Sequence, residues 1–212
     1  WPDGGVIQPG PATCERPGEG YKEPLHFDNH NADLIGYMLT GAPKLQGFAM
    51  LPFSMKKDPS GDGRFTKRMD DSSQDVKPHR YWVKTENWDL GTEATASRNC
   101  AYLRFTYDRG GPFRVQLDAQ DVAAAHWLGK GAKADVTAAE SAIILGESGI
   151  FEGFVKAKVN GKEESIYAKM QFEPKPVAVR ELPANGRKGK RYILEFLLLP
   201  LVGDVQVKAA IS

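Results

Sequence analysis

The residues of this chain that could do chemistry fall into few recognisable patterns. His26 and His30 sit four apart in LHFDNHN, a spacing that ligates a metal only when a further donor arrives from elsewhere. Two solvated loop histidines are the stronger reading. Asp58, Ser60, Asp62 and Gly63 open like a calcium loop, with oxygen side chains set around a glycine-enabled bend. The twelfth position of that loop is Met69, where a bidentate Glu is required, so the segment reads as an ordinary Asp/Gly turn. Cys14 and Cys100 permit one disulfide without requiring it. Two free thiols are expected, with Cys100 a small buried hydrophobe inside a strand. No Asp/Glu pair stands out as an acid and a base, so no catalytic residue and no metal ligand is assigned from this sequence.

Composition narrows the partners. Lys and Arg number 28 against 27 Asp and Glu, which leaves no electrostatic case for nucleic acid or an anionic membrane surface. The basic run GRKGKR, 186–191, therefore reads as a solvated loop. No apolar run approaches a membrane span. With 212 residues, 41% hydrophobic and 26% charged, the chain has material for one large core, and nothing resembles a linker. A single domain, 1–212, is expected. The opening Trp-Pro-Asp-Gly-Gly is not a signal peptide, and its lack of Met suggests a mature or excised segment.

The elements that must position any site are strands. The densest signal is PHRYWVKTENWDLGTEATASRNCAYLRFTY, Pro78–Tyr107. Within His79–Thr85, Tyr81 and Val83 share one face while Trp82 and Lys84 take the other. Glu86-Asn87 reads as a turn, then Trp88–Ala96 and Ala101–Tyr107 extend. Their apolar parity changes between them, which predicts a bulge or break near Arg98-Asn99. Upstream, only Val6-Ile7-Gln8 of the Gly/Pro-rich start suits a strand. Asp33–Met38 is a short strand, Thr40–Pro43 a loop, Gln46–Phe53 a strand apolar on both faces, and Lys56–Lys77 a polar connection. Downstream, Pro112–Asp118 alternates, with Phe113, Val115 and Leu117 inward and Arg114, Gln116 and Asp118 outward. Ala119–Leu128 is the best helix candidate, capped by Asp118 and stopped by Gly129; His126-Trp127 within it reads as packing. Ala134–Leu145 suits either helix or strand, and its β-branched end, Ala142–Leu145, reads as a strand. Gly153–Phe172 is a hairpin turning at Asn160-Gly161, Pro174–Arg191 a loop, and Tyr192–Leu199 and Asp204–Ser212 the closing strands. The expected fold is all-β: a large two-sheet antiparallel β-sandwich with little helix.

Several of these stretches resemble glycoside hydrolase family 92, the exo-acting α-mannosidases. PHRYWVKT, then Glu93-Ala94-Thr95-Ala96-Ser97, then Leu103-Arg104-Phe105-Thr106-Tyr107 are similar to that family's "PGYY-V-L", "ELTAT" and "HRYTF" strands. GGVIQPGPAT resembles its "FGMVQPGPDT" opening, and Ile35–Gly47 its "GFSH-H-SGTG-P-YG" element. Tyr167–Phe172 resembles its "YF-A-F-P" strand, and VQVKAAIS its "V-VKVGIS" ending. Tyr37, Met38 and Leu39 stand where the family has histidines; Lys44 and Leu45 stand where some members place a Trp. The resemblance implies a supersandwich of the galactose-mutarotase-like kind, the N-terminal part of a longer, secreted or extracytoplasmic two-domain enzyme. It would pack on an (α/α)6 catalytic domain that carries the catalytic carboxylates and a calcium ion. An inverting pair of carboxyl groups must stand far enough apart to hold a water, and none is carried over to this chain. The resemblance further implies that Thr40, Gly41, Pro43 and Lys44 border the pocket for a mannose-containing glycan. The other reading is a stand-alone carbohydrate-binding or structural module, for which Tyr81, Trp82, Trp88 and Tyr102 are the rings that could stack on a sugar.

Overall fold

A computed structural model describes residues 8–14, 33–40, 48–54, 67–77, 79–85, 90–97, 99–119, 136–146, 149–159, 161–182, 191–199 and 203–212. Fourteen strands account for nearly all of these residues, and no helix occurs among them. In chain order they are β1 Gln8–Cys14, β2 Asp33–Thr40, β3 Phe48–Ser54, β4 Lys67–Lys77, β5 Arg80–Thr85, β6 Leu90–Ala96 and β7 Cys100–Tyr107. They continue as β8 Gly111–Ala119, β9 Val136–Leu145, β10 Ile150–Val159, β11 Lys162–Glu173, β12 Ala178–Leu182, β13 Arg191–Leu198 and β14 Asp204–Ile211. The first sheet runs β1-β2-β3-β8-β13-β12 and the second β4-β5-β6-β7-β14-β11-β10-β9, every pairing antiparallel. This is the two-sheet sandwich that the alternating strands predict.

The two sheets meet at β4. It begins beside β2, with Lys67 and Arg68 opposite Leu34 and Asp33, and ends in the second sheet with Lys77 opposite Arg80. Between Asp70 and Asp75 the register slips, the kind of bulge that bends a strand round a corner. Ser73 repairs the ladder there, its Oγ accepting the Lys84 N–H at 2.8 Å. The polar sequence KRMDDSSQDVK hides this strand, because the bulge breaks the period-two pattern.

Between the sheets lies one continuous core. Phe48, Met50, Val115, Leu117, Leu194 and Phe196 of the first sheet meet Val83, Leu103, Phe105, Val155, Met170 and Val207 of the second. An aromatic series ties the layers together: Phe151 meets Phe172 edge-on at 5.2 Å, Phe172 meets Phe196 across the gap at 6.1 Å, and Phe196 meets Phe113 at 6.3 Å. Each such pair adds roughly 0.5–1.5 kcal/mol beyond area burial. The sheets approach closely where Gly153 faces Phe48. A Cβ on that glycine would stand 2.8 Å from Phe48 Cε1 and 2.7 Å from the Ala142 carbonyl oxygen.

Several expectations are met closely. Ile166, Ala168, Met170 and Phe172 of β11 are buried while Tyr167, Lys169 and Gln171 are exposed, and the hairpin closes Val159 on Lys162 through Gly161 at φ 78°. The break expected near Arg98-Asn99 falls between β6 and β7, where the Ser97 N–H bonds the Cys100 carbonyl at 2.8 Å.

Others are corrected. The opening strand runs Gln8–Cys14 rather than over Val6-Ile7-Gln8. Pro9 and Pro11, two apart, withhold N–H groups from one edge only and leave the other edge for β2. Thr40 belongs to β2 and not to a loop. The loop expected over Pro174–Arg191 contains β12 and ends in β13; β12 is a short edge strand, exposed along most of its length, so no apolar alternation marks it. Asp118 and Ala119 complete β8, opposite Ala49 and Phe48, and the remainder of the helix candidate lies outside the described residues. Arg114 and Gln116, expected outward, are only 9% and 5% exposed. They share an outer face with buried Leu51, Phe53 and Ile193, and Arg114 Nη2 pairs with Glu195 Oε1 at 2.9 Å. Cys100 is free and exposed rather than buried.

Candidate functional site

Of the residues singled out for substrate binding, Thr40 ends β2 opposite Gln8, while Gly41, Pro43 and Lys44 lie outside the described residues. So do His26, His30, Asp58, Ser60, Asp62, Gly63, Trp88, His126 and Trp127. The strands on either side of residues 41–47, β2 and β3, are described. Leu39 pairs with Phe48, the Phe48 ring lies against Gly153, and Gly153 is level with Ala168 and Ile211 across β11 and β14. The Ile211 N–H bonds the Asn99 carbonyl at 3.0 Å. Leu39 and Phe48, the paired ends of β2 and β3, therefore lie at the same end of the molecule as Asn99 and the end of β14.

Near that end, the outer face of the second sheet carries a depression of about 590 Å³. Residues directly opposite one another in a ladder share a face, so a row forms across five strands: Thr95, Tyr102, Lys208, Gln171 and Ile150. The next row holds Cys100, Ala210, Lys169 and Glu152. The small side chains of Cys100 and Ala210 create the hollow, and Tyr102, Lys208, Gln171 and Lys169 wall it. Partial burial pushes the Tyr102 phenol above its usual pKa, and the Asp204 carboxylate adds to the effect.

Beside it runs a charge ladder. Arg80 bonds Asp75 and reaches Glu93 Oε1 at 3.5 Å, and Arg104 bonds Glu93 in turn. The Arg80 hydrogen bond holds the Asp75 carboxyl below its usual range against a smaller opposing desolvation, with Lys77 at 3.3 Å adding to the lowering. Lys169 pairs with Glu152 at 2.7 Å and Lys208 lies 3.9 Å from Glu173. Carboxylates engaged with cations in this way suit architecture better than general acid catalysis. Among the described residues no three His, Cys, Asp or Glu side chains converge as metal ligands do.

Of the rings proposed for stacking, Tyr81 is buried and its hydroxyl accepts from Gln74 Nε2 at 3.0 Å. Trp82 is half-buried beneath Lys84, whose ammonium lies 5.9 Å from the ring centre. Of the three that are described, Tyr102 lines the hollow. Sequence reasoning passed over Tyr167 and Phe154, paired on the same outer face at 6.3 Å. Their outward parity was readable in β11, but the insertion of β14 between β7 and β11 was not.

Comparison with known proteins places the chain. Residues 4–196 match the family model described as the glycosyl hydrolase family 92 N-terminal domain. Among solved structures, the family 92 α-mannosidase BT3965 of Bacteroides thetaiotaomicron, in complex with mannoimidazole, aligns with a TM-score of 0.74 at 21% identity, over 98% of this chain and 29% of that one. The inverting family 92 mannosidase BT2199 of the same organism gives 0.69 at 15% identity, over 98% and 27%. The family 92 hydrolase ccman5 gives 0.67 at 12% identity, over 99% and 30%. No curated protein matches. This chain thus spans less than a third of the length of these solved relatives.

Proposed function

The chain belongs to glycosyl hydrolase family 92, as its N-terminal domain, and from that premise we propose that it completes the active site of an exo-acting α-mannosidase. In this reading it packs on an (α/α)6 catalytic domain of the same polypeptide and together they hydrolyse terminal α-mannose of glycans. The match over residues 4–196 carries the reading. The acid, the base and the calcium ion belong to the catalytic domain. The described residues of this chain offer no converging ligand set for that ion, so no step is assigned to calcium here. This domain's part is to supply a wall of the pocket at the end where the 41–47 connection emerges, with Thr40, Gly41, Pro43 and Lys44 on the rim. Irregular connections on a rigid strand scaffold are where binding residues concentrate. Lys44 would donate to a sugar hydroxyl as a flexible cation, in place of aromatic stacking.

The test is kinetic. The complete polypeptide should release mannose from α-1,2-mannobiose with the β-anomer appearing first, and chelation of calcium should abolish turnover. Lys44→Ala should raise KM with kcat little changed, the pattern of lost uniform binding. Absence of mannose release refutes the activity. An unchanged KM returns the 41–47 connection to a plain surface turn.

A further inference from the structure

The outer face of the second sheet holds more exposed ring and amide chemistry than a merely solvated surface needs. Tyr167 is 46% exposed and pairs with Phe154 at 6.3 Å, while Lys156 reaches over both rings, 4.9 Å from Phe154 and 5.8 Å from Tyr167. Tyr102 stands on the same face at the far side of the hollow floored by Cys100 and Ala210. β7, β14 and β11 are consecutive neighbours, and Tyr102 is level with Gln171 through Lys208, four residues along β11 from Tyr167. Strand spacing and rise therefore separate the two tyrosines by roughly 16 Å. That exceeds the length of a disaccharide and suits a longer chain lying diagonally across the hollow.

We propose that this track, from Tyr102 across the Cys100–Ala210 hollow to Tyr167 and Phe154, is a second glycan-binding surface that takes a neutral oligosaccharide on the outer face of the second sheet. Charge decides the ligand class. Lys169 is paired with Glu152 and Lys208 faces Glu173. Of the track's three lysines only Lys156, already engaged over the two rings, is left to a ligand, too little positive charge to recruit a polyanion. What remains suits a polyhydroxylated chain: two phenols, the Gln171 amide, the Thr95 hydroxyl and flat rings for C–H stacking. A covering protein surface would instead call for a large contiguous apolar patch, and here ammonium groups stand among the rings. The choice of α-mannan as the first probe rests on the mannosidase reading above.

The complete polypeptide, Tyr102→Ala, Tyr167→Ala and the double variant are compared by affinity electrophoresis in gels containing α-mannan, with xylan and β-glucan gels in parallel. Turnover of α-1,2-mannobiose is measured on the same samples. The parent protein should be retarded by a polysaccharide, and each substitution should weaken that retardation about tenfold, with disaccharide kcat/KM within about twofold of the parent. Tyr167→Phe keeps the ring and should retain binding. Far-UV circular dichroism checks the fold, and exposed Tyr167→Ala provides the decisive reading where Tyr102→Ala is unstable. Hydrolysis without retardation in any gel, or equal retardation of parent and Tyr167→Ala, overturns the track and leaves the mannosidase reading standing. Retardation lost on substitution in a protein without mannosidase activity upholds the track and refutes the enzyme reading. Shielding of Tyr102 and Tyr167 from tyrosine nitration in the complete polypeptide would make the face an internal domain contact and overturn the proposal.

Discussion

Gly153 shows how a single missing side chain sets the thickness of this fold. It lies on the inner face of β10, where a Cβ would collide with both the Phe48 ring and the rigid Ala142 carbonyl. Gly153→Ala should therefore cost about 1–3 kcal/mol through overpacking, read as a lower urea midpoint with an unchanged slope. A midpoint equal to the parent's would mean that the sheets yield there. The sequence pointed to a hairpin around Gly153 but not to this role, which needs the other sheet in place. Cys100 teaches the same lesson from the opposite side. Its position at the start of β7, beside a turn, leaves it exposed, whereas strand membership alone suggested burial. Arg114 reverses the case, since parity correctly faced it away from the core, yet that outer face is itself covered and Glu195 partners it.

Among the elements, legibility follows locality. The β10–β11 hairpin, β5, β7 and β14 were readable because clean alternation and a Gly turn act over neighbouring residues. β1, β4 and β12 were not. Two prolines, a bulge and an exposed edge each erase the pattern that sequence reading depends on. Pairings such as β7 with β14, or β3 with β8, join residues far apart in the chain and carry no local signal. The hollow is bounded by just such pairings, so its residues were visible individually and their convergence was not. The closing rivet between layers is equally nonlocal, with Phe172 of β11 touching Phe151 of β10 and Phe196 of β13. Phe172→Ala should cost about 3–5 kcal/mol and lower both layers' unfolding midpoints together. Loss of near-UV signal from one sheet only, with the other still cooperative, would contradict a single shared core.

For the whole molecule, the sandwich is a large β-unit in which the paired ends of β2 and β3, Asn99 and the end of the final strand lie at one end. The described part carries carboxylates committed to ion pairs and no converging ligand set. In the proposed reading this body shapes a pocket whose reacting groups another domain provides. The direct measurement is mannose release from α-1,2-mannobiose, with calcium, by three samples: the complete polypeptide, residues 1–212 alone, and the remainder with 1–212 removed. The account predicts turnover by the complete polypeptide, none by either part, and recovery when the two folded parts are mixed. Release by residues 1–212 alone, or full activity of the remainder without them, would contradict it.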